Sequence, residues 1–113
     1  VNELESIKIF KAFSDPTRLR VGLLLLQKKL CVCQLQEILN TPQSKLSKHL
    51  SKMRDLNLVI GIPDGKFTKY EIVEDKFLIA ILNTVKDYSS HEELFLTDLS
   101  KIDKFDYLIE GDQ

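Results

Sequence analysis

The sequence predicts a mainly helical fold carrying one small β-hairpin, and three observations support that class. Apolar residues recur at helical spacing through most of the chain. One stretch breaks that rhythm: "LVIGI" and "FTKYEIV" are β-branched and aromatic, and "PDGK" between them holds Asp-Gly, a strong hairpin signal. The 113 residues, 43% hydrophobic and 29% charged, suit one globular domain over 1–113 rather than a disordered chain.

The helices follow in order. "NELESIKIFKAF" places Leu4, Ile7, Phe10 and Phe13 near one face and ends at "SDP". Ser14 or Asp15 can cap the next helix, with Pro16 in its first turn, where a missing N–H is harmless. That helix, "PTRLRVGLLLLQ", is expected to bury Leu19, Leu23 and Leu26. Gly22 in its interior costs about 1 kcal/mol against Ala and so marks a close helix crossing. A third helix turns Val32, Leu35 and Leu39 inward and breaks at "NT". Thr41-Pro42 is expected to cap and start a fourth, with Leu46, Leu50 and Met53 at i, i+4, i+7. After the hairpin, "FLIAIL" is apolar on every side, which suits a helix with a partner surface. "HEELFLTDLSKIDKFDYLIE" reads as a last helix with Leu94, Leu99 and Ile102 inward.

Composition narrows the function classes. No apolar run approaches the roughly 18–20 residues of a membrane span, and nothing at the start reads as a signal peptide. Two cysteines one residue apart close almost no loop, so they do not form the disulfide framework of a secreted domain. A reducing cytoplasm is the expected setting. No Gly-rich phosphate loop, carboxylate dyad or His–Cys spacing suggests an enzyme. The net charge of −1 hides a gradient: residues 1–42 carry +2, residues 43–70 carry +4 and residues 71–113 carry −7. A basic middle before an acidic tail points to local anion binding.

Two short helices joined by a turn, the second polar on its outer face, describe a helix-turn-helix; the hairpin behind them makes it a winged helix-turn-helix. With Leu46, Leu50 and Met53 inward, Ser44, Lys48, Ser51 and Asp55 point most nearly outward, flanked by Lys45, Ser47 and Lys52. Hydroxyl and ammonium groups of this kind suit phosphates and base edges. Gln43 and Ser44 lie in the first turn, the end that usually meets bases. On the hairpin, Lys66, Thr68, Lys69 and Tyr70 can grip the flanking backbone. His49 points only partly away from the core, so base contact competes with a packed or capping role.

"FSDPTRLRVGLLLL", "LCVCQLQEIL", "PQSKLSKHLSKMRDLNLV" and "DGKFTKYEI" occur in that order from about Phe10 to Ile72. Together they resemble the ArsR family of metal-sensing winged-helix repressors. The resemblance implies a homodimer joined through its first and last helices, which binds a two-fold operator in double-stranded DNA and is released by an inducer. The family's arsenic and antimony sensors resemble this chain at "CVC", so Cys31 and Cys33 match the first two thiols of their site. Gln36 stands where many members have a third cysteine.

Thiolates select soft ions, and a helix N-terminus favours the thiolate. On an ideal helix residues i and i+2 lie about 200° apart. Chelation by Cys31 and Cys33 is therefore expected to unwind the turn that supports the reading helix. Trivalent arsenic or antimony, with an external thiol or hydroxide as third ligand, is the expected inducer. Copper(I), a redox switch, a structural role for the thiols and a ligand-independent protein-interaction module are the alternatives. Zinc prefers four ligands, which this sequence does not suggest.

Overall fold

A computed structural model describes residues 3–110, with side chains described for 6–89 and 91–110. Two helices, α1 (Glu3–Phe13) and α2 (Pro16–Gln27), lead into a short strand β1 (Leu30–Cys31). Then come α3 (Val32–Leu39), α4 (Gln43–Asp55), the hairpin β2 (Val59–Asp64) and β3 (Phe67–Ile72), and α5 (Lys76–Tyr88). A 3₁₀ turn at Ser89–His91 precedes α6 (Glu93–Ser100) and α7 (Tyr107–Glu110). The fold is mostly helical with a small antiparallel sheet of order β1-β3-β2.

The local signals explain the joints. Asp15 caps α2 by accepting the Arg18 N–H at 3.1 Å, with Pro16 opening the helix. Asn40, left-handed at φ 49°, stops α3. Thr41 does not cap α4 as expected: its hydroxyl donates to the Leu39 carbonyl at 3.0 Å, and Pro42 takes the cap position without a side-chain bond. Gly65, at φ 63°, opens the two-residue loop between the paired residues Asp64 and Phe67.

Leu35, Leu46, Leu50 and Met53 fill the core between α3 and α4, joined by Val21 and Leu24 from α2 and Leu78 and Leu82 from α5. A Cβ on Gly22 would lie 2.7 Å from the Phe13 ring and 3.4 Å from Leu82, so α1, α2 and α5 meet there at the close crossing expected. On α1 Ile9 and Ala12 are buried in the core and Phe13 packs partly against it, while Ile7 and Phe10 are 46% and 56% exposed; the Leu4 side chain lies outside the described residues. The C-terminal stretch is not one helix, and Leu94 is exposed. Leu99 and Ile102 do pack partly against the core as expected, beside Asp98, which turns inward to pair with Arg20.

Candidate nucleic-acid interface and thiol site

Helix α4 buries Leu46, Leu50 and Met53, and that stripe turns its other residues outward. Gln43, Ser44, Lys45, Ser47, Lys48 and Lys52 are exposed, and Ser51 is half-buried. On the wing, Lys66 and Thr68 are exposed, whereas Lys69 pairs with Asp64 at 3.1 Å. Tyr70 packs over Gly61, where a Cβ would lie 3.2 Å from its ring, and its backbone pairs with Leu30. Tyr70 therefore braces the wing as well as lining its inner side.

His49 departs from the outward set. Its ring is only 14% exposed; Nδ1 lies 3.2 Å from the Arg18 guanidinium and Nε2 4.0 Å from Asp15. Arg18 can donate only, so the neutral ring accepts at Nδ1 and carries its proton at Nε2. Burial, reinforced by Arg18, Lys45 and Lys52, holds its pKa below the ordinary histidine value despite Asp15. This is a packed histidine joining α4 to α2, and it leaves the proposed reading face.

The cysteines sit at the start of α3, about two turns and a loop before α4. Cys31 is the last residue of β1 and the cap of α3, extended at φ −88°, ψ 168°, while Cys33 lies in the first helical turn. Because Cys31 precedes the helix, the 200° separation does not apply. The structure joins the two Sγ atoms as a disulfide, with Cα atoms 5.5 Å apart, so on reduction the two thiols stand side by side. The expectation that chelation must unwind α3 is therefore overturned: the pair converges with the helix intact.

Gln34, 1% exposed, explains how Cys31 is held off the helix. Its Oε1 accepts the Cys31 N–H at 2.9 Å, and its Nε2 donates to Asp106 at 3.1 Å. The sequence reading missed Gln34 and Asp106. The spacing Cys31-x-x-Gln34 was the available signal, because glutamine three residues after a cap is one half of a capping box. Lys28 clamps the same carboxylate at 2.8 Å and Asp103 at 2.5 Å. Burial opposes the charge on Lys28, but these partners outweigh it and raise its pKa above the ordinary lysine value.

Cys31, Cys33 and outward residues of α4 and the wing share one cleft of about 440 Å³. Cys31, Cys33 and Gln36 form one wall, Gln43 and Ser47 of α4 a second, and Lys66, Phe67, Thr68 and Tyr70 of the wing a third. Two converging sulfurs fit a soft ion. Among the described residues, no group of three or more His, Cys, Asp or Glu is arranged to hold a metal.

Residues 15–60 match the family described as "Bacterial regulatory protein, arsR family". Over 73 residues the chain is 37% identical to an uncharacterized HTH-type transcriptional regulator of Methanocaldococcus jannaschii, covering 64% of this chain and 82% of that protein. It is 39% identical over 67 residues to the arsenical resistance operon repressor of Escherichia coli, over 58% of this chain and 57% of the repressor. The match thus spans little more than half of the Escherichia coli protein. The fold resembles HlyU from Vibrio cholerae with a TM-score of 0.75 at 25% identity, over 79% of this chain and 96% of that one. This chain belongs to the ArsR family of bacterial regulatory proteins, whose members are helix-turn-helix transcriptional regulators rather than enzymes.

Proposed function

We propose that this protein is a metal-responsive transcriptional repressor that binds operator DNA as a homodimer and lets go when trivalent arsenic or antimony binds Cys31 and Cys33. The observation that carries the reading is the shared cleft: half-buried Cys33 and buried Cys31 line it together with Gln43, Ser47 and the wing, the groups offered to DNA. The arsenical resistance repressor among its relatives supports the choice of ion. Here Gln43 and Ser44 enter the major groove and read base edges, while Lys45, Lys48 and Lys52 neutralise phosphates along the groove. Lys66 and Thr68 hold the neighbouring backbone. Bound arsenic or antimony supplies strong bonds to thiolate sulfur.

The dimer forms through α1 and α5. Ile7 and Phe10 are exposed on α1, and the Phe10 ring meets Phe77 of α5 edge-on at 6.5 Å. Phe77, Ile79 and Val85 pack on the core, while half-exposed Ile81 lies outside that packed set. Joining two such surfaces removes apolar area from water, at about 25 cal/mol per Å². It also presents two α4 helices to a two-fold site. No helix among the described residues is long and apolar enough to cross a membrane.

A second reading, reversible oxidation of the thiol pair, is favoured by the disulfide that joins the two cysteines in the structure. A mobility-shift assay on the DNA upstream of the protein's own coding region separates these readings. Retarded DNA released by arsenite or antimonite under reducing conditions supports the first. Release only by peroxide or diamide supports the second, and release by copper(I) alone moves the ion assignment. No retardation of any promoter fragment would overturn the repressor reading.

A further inference from the structure

Two protein sulfurs leave a trivalent metalloid one bond short, because arsenous acid has three exchangeable hydroxyls. The cleft supplies no third soft donor. Gln36, three residues after Cys33 on α3, offers a carboxamide there, and Gln43, Ser47 and Thr68 offer amides and hydroxyls. Such oxygen and nitrogen groups are poor partners for a soft ion. Cys31 and Cys33 are the only cysteines in the sequence, so a second copy brings only its own pair. The space is nonetheless there. About 440 Å³ falls within the roughly 300–1,000 Å³ of small-molecule pockets. Its apolar surfaces come from Val32 and Phe67, and its hydrogen-bonding groups from α3, α4 and the wing.

We infer that the cleft seats a small hydrophilic thiol from solution, which gives trivalent arsenic or antimony its third sulfur and lies against Gln43 and Ser47 of α4. The inference rests on the reading of Cys31 and Cys33 as the inducer site. The chemistry balances without oxidant or reductant. Arsenous acid condenses with the two protein thiols and the free thiol; three As–O bonds give way to three As–S bonds. The three thiol hydrogens leave with the three hydroxyls as water. Gln36, Gln43, Ser47 and Thr68 hydrogen-bond the polar part of the co-ligand. Inducer and DNA then compete for the same face of α4, and release needs no unwinding of α3.

The test uses the reduced full chain, free cysteine as the probe thiol, and two arsenicals read by native mass spectrometry and thiolate–arsenic absorption. Phenylarsine oxide already has one carbon on arsenic and needs two thiolates only. It should bind one per chain with or without cysteine. Arsenite should bind at least tenfold more tightly with cysteine present, and the complex should have the mass of chain, arsenic and one cysteine. Gln36→Cys, with its added sulfur one turn from Cys33, should bind arsenite without cysteine and gain nothing from it. If arsenite binds equally well with and without cysteine while phenylarsine oxide binds, the co-ligand idea is overturned and the thiol site stands. A Gln36→Cys protein that still needs cysteine overturns it too. If neither arsenical binds, the reading of the thiol pair itself fails.

Discussion

Gln34 serves two partners with one carboxamide, and its loss tests how firmly Cys31 is set. Gln34→Ala leaves the Cys31 N–H without its acceptor and should lower stability by about 1–3 kcal/mol in urea denaturation. The pair Gln34→Glu with Asp106→Asn keeps an acceptor toward Cys31 and returns a donor from residue 106. Because Asp106→Asn gives up the carboxylate that Lys28 clamps, recovery is read against Asp106→Asn alone. A double variant no more stable than the sum of the two single changes would show that the bond between residues 34 and 106 contributes little. His49 gives a pH signature. Its folded pKa stands below its ordinary value of about 6.5, so the unfolded chain takes the proton more readily. Stability should be full above about pH 6.5 and fall as the pH drops through the window beneath it. His49→Gln should flatten that fall between pH 7 and 5.5 in thermal melts, and an unchanged slope would contradict the assignment. Helical periodicity placed His49 only partly outward, since an angle fixes direction but not the neighbour, Arg18, that takes up the ring. It misplaced Cys31 for a related reason: the rule assumes helical backbone, and Cys31 is extended.

At the level of elements, α4 and α5 are where the sequence was most informative. A regular apolar stripe on a helix reports both its existence and its inward face, and Leu46, Leu50 and Met53 are all buried. Lys48→Ala should weaken binding to operator and random DNA alike and reduce the salt slope by about one. Changes at Gln43 or Ser44 should instead relax sequence preference. Unchanged affinity and salt dependence in Lys48→Ala, read by fluorescence anisotropy, would remove α4 from the interface. On the other side, Phe10→Glu with Ile81→Glu places charge on exposed or half-exposed positions and spares the core. Sedimentation should then show folded monomers without operator binding; an unchanged dimer would put the interface elsewhere. The C-terminal stretch was the least legible element. Its apolar residues suggested one helix, but Asp98, Asp103 and Asp106 form long-range ion pairs that no local pattern reveals.

Across the whole molecule, those ion pairs give the acidic third of the chain an internal role. Asp98 holds Arg20 of α2 through two hydrogen bonds at 2.8 and 2.9 Å, and Asp103 and Asp106 hold Lys28 beyond its end. The segment is thus tied to α2 and, through Gln34, to the cap of α3. The positive charge of residues 43–70 is left on α4 and the wing. The charge gradient and the order of helix pair and hairpin were readable directly from the residues. The cleft was not, because it forms only when β1, α4 and the wing come together. The central claim is that Cys31 and Cys33 act as one inducer site controlling DNA affinity. The direct measurement is arsenite titration of the preformed operator complex, comparing the wild type with Cys31→Ser in reducing buffer containing free cysteine. The wild type should lose about a hundredfold in affinity, equivalent to about 2.8 kcal/mol of coupling, while Cys31→Ser binds DNA normally and does not respond. Equal release from both proteins, or no release of the wild type at saturating arsenite and antimonite, would contradict the account.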